Sequence, residues 1–138
     1  MMARAPWSQR SADARAERDE TADQARVVAA LARLADLLER IENPRAAEVT
    51  ALGRRFDDDP EAVWHTLNGN AWWAGAGSLA AETMADNPGL DPQQWRAEVR
   101  EFRELLLDIG AVLRGRGEPN PGLGSWLLAF RNWNDSAV

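Results

Sequence analysis

The stretch from Asp91 to Gly115, DPQQWRAEVREFRELLLDIGAVLRG, decides the fold class. Trp95, Val99, Phe102, Leu106, Ile109 and Leu113 follow one another at intervals of 4, 3, 4, 3 and 4. That spacing holds all six side chains on one face of an α-helix, and it is not the period-2 alternation of a strand. Asp91-Pro92 supplies the start, because a carboxylate accepts from the free N–H groups of the first turn and Pro needs no N–H there. Gln94 completes a capping-box pattern with Asp91. Gly115 to Gly124, GRGEPNPGLG, cannot continue the helix. A helix over about 92–114 is predicted.

The same reading extends outward. Val27, Leu31, Leu34, Leu38 and Ile41 are spaced 4-3-4-3, which predicts a helix over about 21–42, capped by Thr21 with Gln24 three residues on. Asp36 and Arg40 are placed for an i,i+4 pair on its outer face. Asn43-Pro44 ends this helix and starts another over about 44–56, with Val49, Leu52 and Phe56 inward. Asp59-Pro60 repeats the signal for a helix over about 60–68 carrying Val63, Trp64 and Leu67. Gly69 stands where a left-handed C-terminal residue is expected. Asn70 to Ser78, NAWWAGAGS, reads as a shaped loop or helix break. Ser78 can cap a short helix over about 79–86, stopped by Asn87-Pro88-Gly89. Ser125 can cap a last helix with Trp126, Phe130 and Trp133 on one face.

Ile, Val and Thr total 13 residues against 40 for Ala and Leu together, a balance that favours helix over strand. The expected architecture is all-α: a compact bundle of five to six helices with no sheet, its two long stripes forming a central antiparallel or crossed pair. Residues 1–20 read as a polar N-terminal arm turning helical from about Ser11, and residues 21–138 as a single helical domain.

Composition excludes several function classes. The 138 residues fit one domain. With no Cys and one His there is no disulfide framework, no thiol catalysis and no multi-His or Cys-ligated metal site. Acids outnumber bases by 22 to 16, all of the bases Arg, for a net charge of −6; nucleic-acid binding is therefore not expected, since phosphate neutralisation needs surplus base. No apolar run approaches the ~20 residues needed to cross a bilayer. The first 20 residues lack the apolar core of a secretory signal, and Asp13, Glu17, Asp19 and Glu20 argue against a transit peptide. A cytoplasmic protein with no cofactor and no membrane partner is the expectation.

Enzyme patterns are incomplete. Gly75-x-Gly77-x-x-Ala80 fits a loose dinucleotide pattern, but it follows no buried strand. Ser78 is not in a nucleophile elbow. His65 is its one candidate base, and no orienting group or oxyanion site accompanies the two. Asp57-Asp58-Asp59 could attract a hard cation, but consecutive side chains diverge, and a solvated helix-start cluster explains them equally.

One feature stands above background. Between Arg55 and Arg96 there is no base, and the interval holds Asp57, Asp58, Asp59, Glu61, Glu82, Asp86 and Asp91, a net charge of −7. The same third of the chain holds Trp64, Trp72, Trp73 and Trp95. Trp is enriched at interface hot spots, and a complementary charge selects and steers a partner. The expected function is therefore a non-enzymatic protein-binding module, immunity- or antitoxin-like. It would mask a basic partner such as a toxin with the seven acids together with Trp72 and Trp73. Trp side chains also fill the cores of small helical domains, so a core role stands beside this one. The alternative function is a small-molecule binder with a Trp-lined pocket near the Gly75–Ser78 turn. The 4-3 stripes could also bury against a second copy of the chain.

At Trp73-Ala-Gly75-Ala-Gly77-Ser78-Leu79 the chain resembles small bacterial helical domains that carry a Gly-Gly-x-Gly-Ser-Phe/Leu-Asn-Asp turn after an amphipathic helix pair. The resemblance covers about residues 25–115. Ala74 stands for the first Gly, and Ala80-Ala81 for the Asn-Asp. The resemblance implies a compact helical domain of the immunity or defence-associated kind, with no assigned reaction.

Overall fold

The computed structural model describes residues 7–136, with side chains from residue 14. Among them the chain forms seven helical segments: α1 (Trp7–Arg40), α2 (Ala46–Arg55), α3 (Pro60–Leu67), α4 (Asn70–Trp73), α5 (Leu79–Glu82), α6 (Pro92–Arg116) and α7 (Leu123–Asp135). The segments α4 and α5 are single turns of four residues each. No strand occurs among the described residues. The fold is the all-α bundle that the composition predicts.

The helix expected in the arm from about Ser11 is present, and it begins earlier and is continuous with the first long helix. It runs without a break from Trp7, 34 residues in all, so the polar stretch over 7–20 is helix; residues 1–6 of that stretch lie outside the described residues. Residues 8–20 are rich in Ala, Arg and Glu and contain neither Gly nor Pro, so nothing in them interrupts a helix. Thr21 is therefore an interior residue rather than a cap. Its hydroxyl donates to the Glu17 carbonyl at 3.0 Å. Glu20 ties this extension to the bundle, accepting from Trp64 Nε1 at 3.2 Å and pairing with Arg116.

α1 and α6 form the central pair, and they are antiparallel. The proof is a ladder of ion pairs whose numbers run oppositely: Glu20 with Arg116, Arg26 with Asp108 at 3.3 Å, Arg33 with Glu101 at 3.2 Å, and Arg40 with Glu98 at 3.0 Å. Arg40 thus reaches across to α6, where its predicted partner was Asp36 on its own helix. The hydrogen bond that Arg40 donates to Glu98 is the main influence holding the Arg40 guanidinium above its ordinary pKa. Solvent-exposed pairs of this kind contribute at most ~1 kcal/mol each, so the ladder fixes direction and register more than it adds stability. Stability comes from beneath it. Val27, Leu31, Leu34 and Leu38 are fully buried against Phe102, Leu106 and Ile109 in one core that receives side chains from all seven helices.

Asx residues start the elements. Asp59 accepts from the Ala62 N–H at 3.2 Å and Asp91 from the Gln93 and Gln94 N–H groups at 3.0 and 3.2 Å, as their Asp-Pro signals predict. Ser78 caps α5, accepting from the Ala81 N–H at 3.2 Å. α5 is shorter than expected because the Thr83 hydroxyl takes the Ala80 carbonyl at 2.8 Å and the chain turns. α7 starts at Leu123 and not after Ser125. Asn120-Pro121 provides the start, with Asn120 Oδ1 accepting from the Gly122 N–H at 2.9 Å.

Candidate functional site

The nine residues that the sequence nominates for partner binding separate into three environments. Trp72 and Trp73 are interior and are corrected from surface anchors to core: their exposures are 2% and 0%. The segment Asn70–Trp73, read from sequence as loop or break, is a helical turn that points both rings inward. Gly69 precedes it with φ −82° and ψ 167°, extended backbone and not the expected left-handed cap. Trp73 Nε1 donates to the Leu67 carbonyl at 2.7 Å, and the Trp73 carbonyl accepts from Trp126 Nε1 at 3.0 Å. Both polar groups of the turn's buried end are thereby satisfied, which is the condition for burying them without cost. Asn120 bolts the same turn to the α6–α7 connection, donating through Nδ2 to the Asn68 carbonyl at 3.0 Å and to Asn70 Oδ1 at 2.9 Å. Gly122 lets the chains approach: a Cβ there would lie 2.4 Å from the Trp73 carbonyl oxygen.

Glu82 is also committed internally. It accepts from Asn43 Nδ2 at 3.1 Å and lies 3.5 Å from Arg45 Nη1. Arg45 in turn donates to the carbonyls of Ala71 at 3.2 Å and Gly77 at 2.8 Å. This clasp closes the Trp-Gly turn over the α1–α2 connection. Neither Arg45 nor Asn120 stands out by residue type: a lone Arg between two helices carries no local pattern, whereas the Asn-Pro-Gly at 120–122 repeats the start signal of Asn43-Pro44 and was the legible one.

The remaining acids are exposed, and they form two groups. Asp57, Asp58, Asp59 and Glu61 cluster at the α2–α3 corner. Asp86 and Asp91 lie on the α5–α6 connection, Asp91 as the cap of α6. The two groups lie apart. Asp57 shares a groove with Val28 on α1, while Glu82 bonds Asn43 past the other end of that helix. At 1.5 Å per residue these points are ~20 Å apart along α1. The −7 interval of the sequence is thus two surfaces and not one.

The corner is the more distinctive. Asp59 caps α3 and lies 4.0 Å from Arg55 Nη2. Asp57, Asp58 and Glu61 form no ion pair among the described residues, whereas Glu20, Glu98, Glu101 and Asp108 are paired with Arg along the α1–α6 ladder. Beside the corner a groove of about 380 Å³ opens between α1 and α2. Its floor is Val28, Leu31, Ala35, Val49 and Gly53, and Asp36 and Asp57 stand on its lips with Arg54. The arrangement offers an apolar trough with carboxylates at its edge.

Two candidate catalytic groups come apart. Ser78 is fully buried, its hydroxyl donating to the Gly75 carbonyl at 2.8 Å while accepting from Ala81. His65 is exposed on α3, and no hydrogen bond joins it to Ser78. The Ser78 hydroxyl is spent on the turn. Among the described residues, no group of three or more His, Asp or Glu is placed to hold a metal ion, and no helix is long and apolar enough to cross a membrane.

Comparison of the chain with protein-family models, with curated proteins and with solved structures gives no match.

Proposed function

We propose that the protein is a non-enzymatic binding module that covers a basic protein partner in the cytoplasm, in the manner of an immunity protein or antitoxin. The observation that carries this reading is the set of exposed carboxylates without an ion pair among the described residues, Asp57, Asp58 and Glu61, at the α2–α3 corner, where Asp57 also lines the apolar α1–α2 groove. Unpaired surface carboxylates raise the association rate with a cationic partner, and an apolar floor supplies the contact area that holds it. The groove takes the anchoring role that the sequence analysis gave to Trp72 and Trp73.

The test is charge reversal that spares the α3 cap. Asp57, Asp58 and Glu61 are changed together to Lys, and wild type and variant are used for affinity capture from native lysate with quantitative mass spectrometry. The expected result is a stoichiometric basic protein retained by wild type, released by salt and lost from the variant. Retention of the same proteins by both chains with the same salt dependence contradicts the proposal.

A further inference from the structure

On the other side of α6 the molecule carries a second cleft, of different chemistry. It measures about 400 Å³ and opens between the α5–α6 connection, the first turns of α6 and the end of α7. Its walls are the half-buried rings of Trp95 and Trp133 and the side chain of Met84, which is 62% exposed. Arg103 lies on its floor and Arg96 on its lip.

The charge of this cleft opposes that of the chain. Arg96, Arg100 and Arg103 are spaced 4 and 3 along α6, so three guanidiniums share one helix face. Arg103 is 7% exposed. Its guanidinium carbon sits 5.0 Å from the Trp133 ring centroid, and its Nη1 donates to Asn134 Oδ1 at 3.4 Å. Arg100 donates to the Asn134 carbonyl at 2.7 Å and lies 3.8 Å from Glu104. Among the described lining residues Asp86 is the one carboxylate, against Arg96 and Arg103. An acidic protein has therefore placed a cationic floor under an aromatic-walled cleft.

We propose that this cleft binds an organic anion with a flat aromatic body, a class typified by aryl carboxylates. The body lies between Trp95, Trp133 and Met84, and the carboxylate faces Arg103 and Arg96. The planar guanidinium fork matches a carboxylate, and its delocalised charge tolerates stacking on Trp133. The volume lies in the range of small-ligand sites, which are mostly apolar with a few convergent polar groups. Burial, and then the like charge of Arg100, hold the Arg103 pKa below its ordinary value. The pocket differs from the one the sequence analysis placed by the Gly75–Ser78 turn, because Trp72 and Trp73 are in the core.

The test follows the indole N–H signals of the full chain by NMR during titration with 1-naphthaleneacetate and with its neutral amide. The proposal predicts saturable shifts of the Trp95 and Trp133 signals. It also predicts carboxylate binding ~10-fold tighter than the amide, the difference a charge-assisted hydrogen bond makes. Arg96→Gln, an exposed substitution that leaves the core intact, weakens the carboxylate several-fold and leaves the amide unchanged. Equal binding of acid and amide overturns the proposal. So do shifts centred on Trp64 or Trp126, unchanged carboxylate affinity in Arg96→Gln, or no saturation by ~10 mM.

Discussion

Residues 57–61 and residues 69–78 read alike in the sequence: both lie in the arginine-free interval, and both were nominated for the same surface. The structure gives them opposite roles. The corner at 57–61 keeps the side chains of Asp57, Asp58 and Glu61 in solvent, with no ion pair among the described residues. The turn at 69–78 is tied inward at four points: Trp73 Nε1 on the Leu67 carbonyl, the Trp73 carbonyl with Trp126, and the Ala71 and Gly77 carbonyls with Arg45. A group whose partners lie inside the molecule holds the fold, and a charged group without one is available to something else. The two regions should therefore dissociate under mutation, with stability lost in one and binding lost in the other.

The largest expected effect is in the turn. Trp73→Ala removes a fully buried ring and orphans the Leu67 carbonyl, which should cost ~3–5 kcal/mol and leave the chain largely unfolded in a urea titration. Gly122→Ala should follow at ~3 kcal/mol, because the new Cβ meets backbone at 2.4 Å and not a movable side chain. Arg45→Ala should come next, at ~1–3 kcal/mol by the same titration, since it leaves the Ala71 and Gly77 carbonyls without their donor and Glu82 without its ion pair. Asp59→Ala, at the corner but engaged as a cap, should lose ~1 kcal/mol. Smallest of all, Asp57→Lys with Asp58→Lys should move stability by no more than ~0.5 kcal/mol while abolishing partner capture. A double variant as destabilised as Arg45→Ala would erase the distinction between the regions.

Much of the fold was legible because it rests on periodicity and caps. The α6 stripe from Trp95 to Leu113, the α1 stripe from Val27 to Ile41, and the starts at Asp59, Ser78 and Asp91 all follow from local pattern. The errors have a common cause. The inward turn of Trp72 and Trp73 and the cross-helix choice of Arg40 are set by distant residues: Trp126 and Asn120 for the turn, Glu98 for Arg40. The site was legible only as a charge count. The sequence interval placed seven acids together, but α1 separates them by ~20 Å, and one of them, Glu82, is spent on Arg45. The aromatic cleft was out of reach for the same reason. Trp95 and Trp133 are 38 positions apart and meet only because α7 folds back on α6.

Amide hydrogen exchange of the protein in complex with its captured partner tests the central assignment most directly. The account predicts new protection over 28–36 and 49–61, the walls of the groove and the acidic corner, with the 69–78 turn unchanged because its anchoring side chains, Trp72, Trp73 and Ser78, are already buried in the fold. Protection that leaves 49–61 untouched would contradict it.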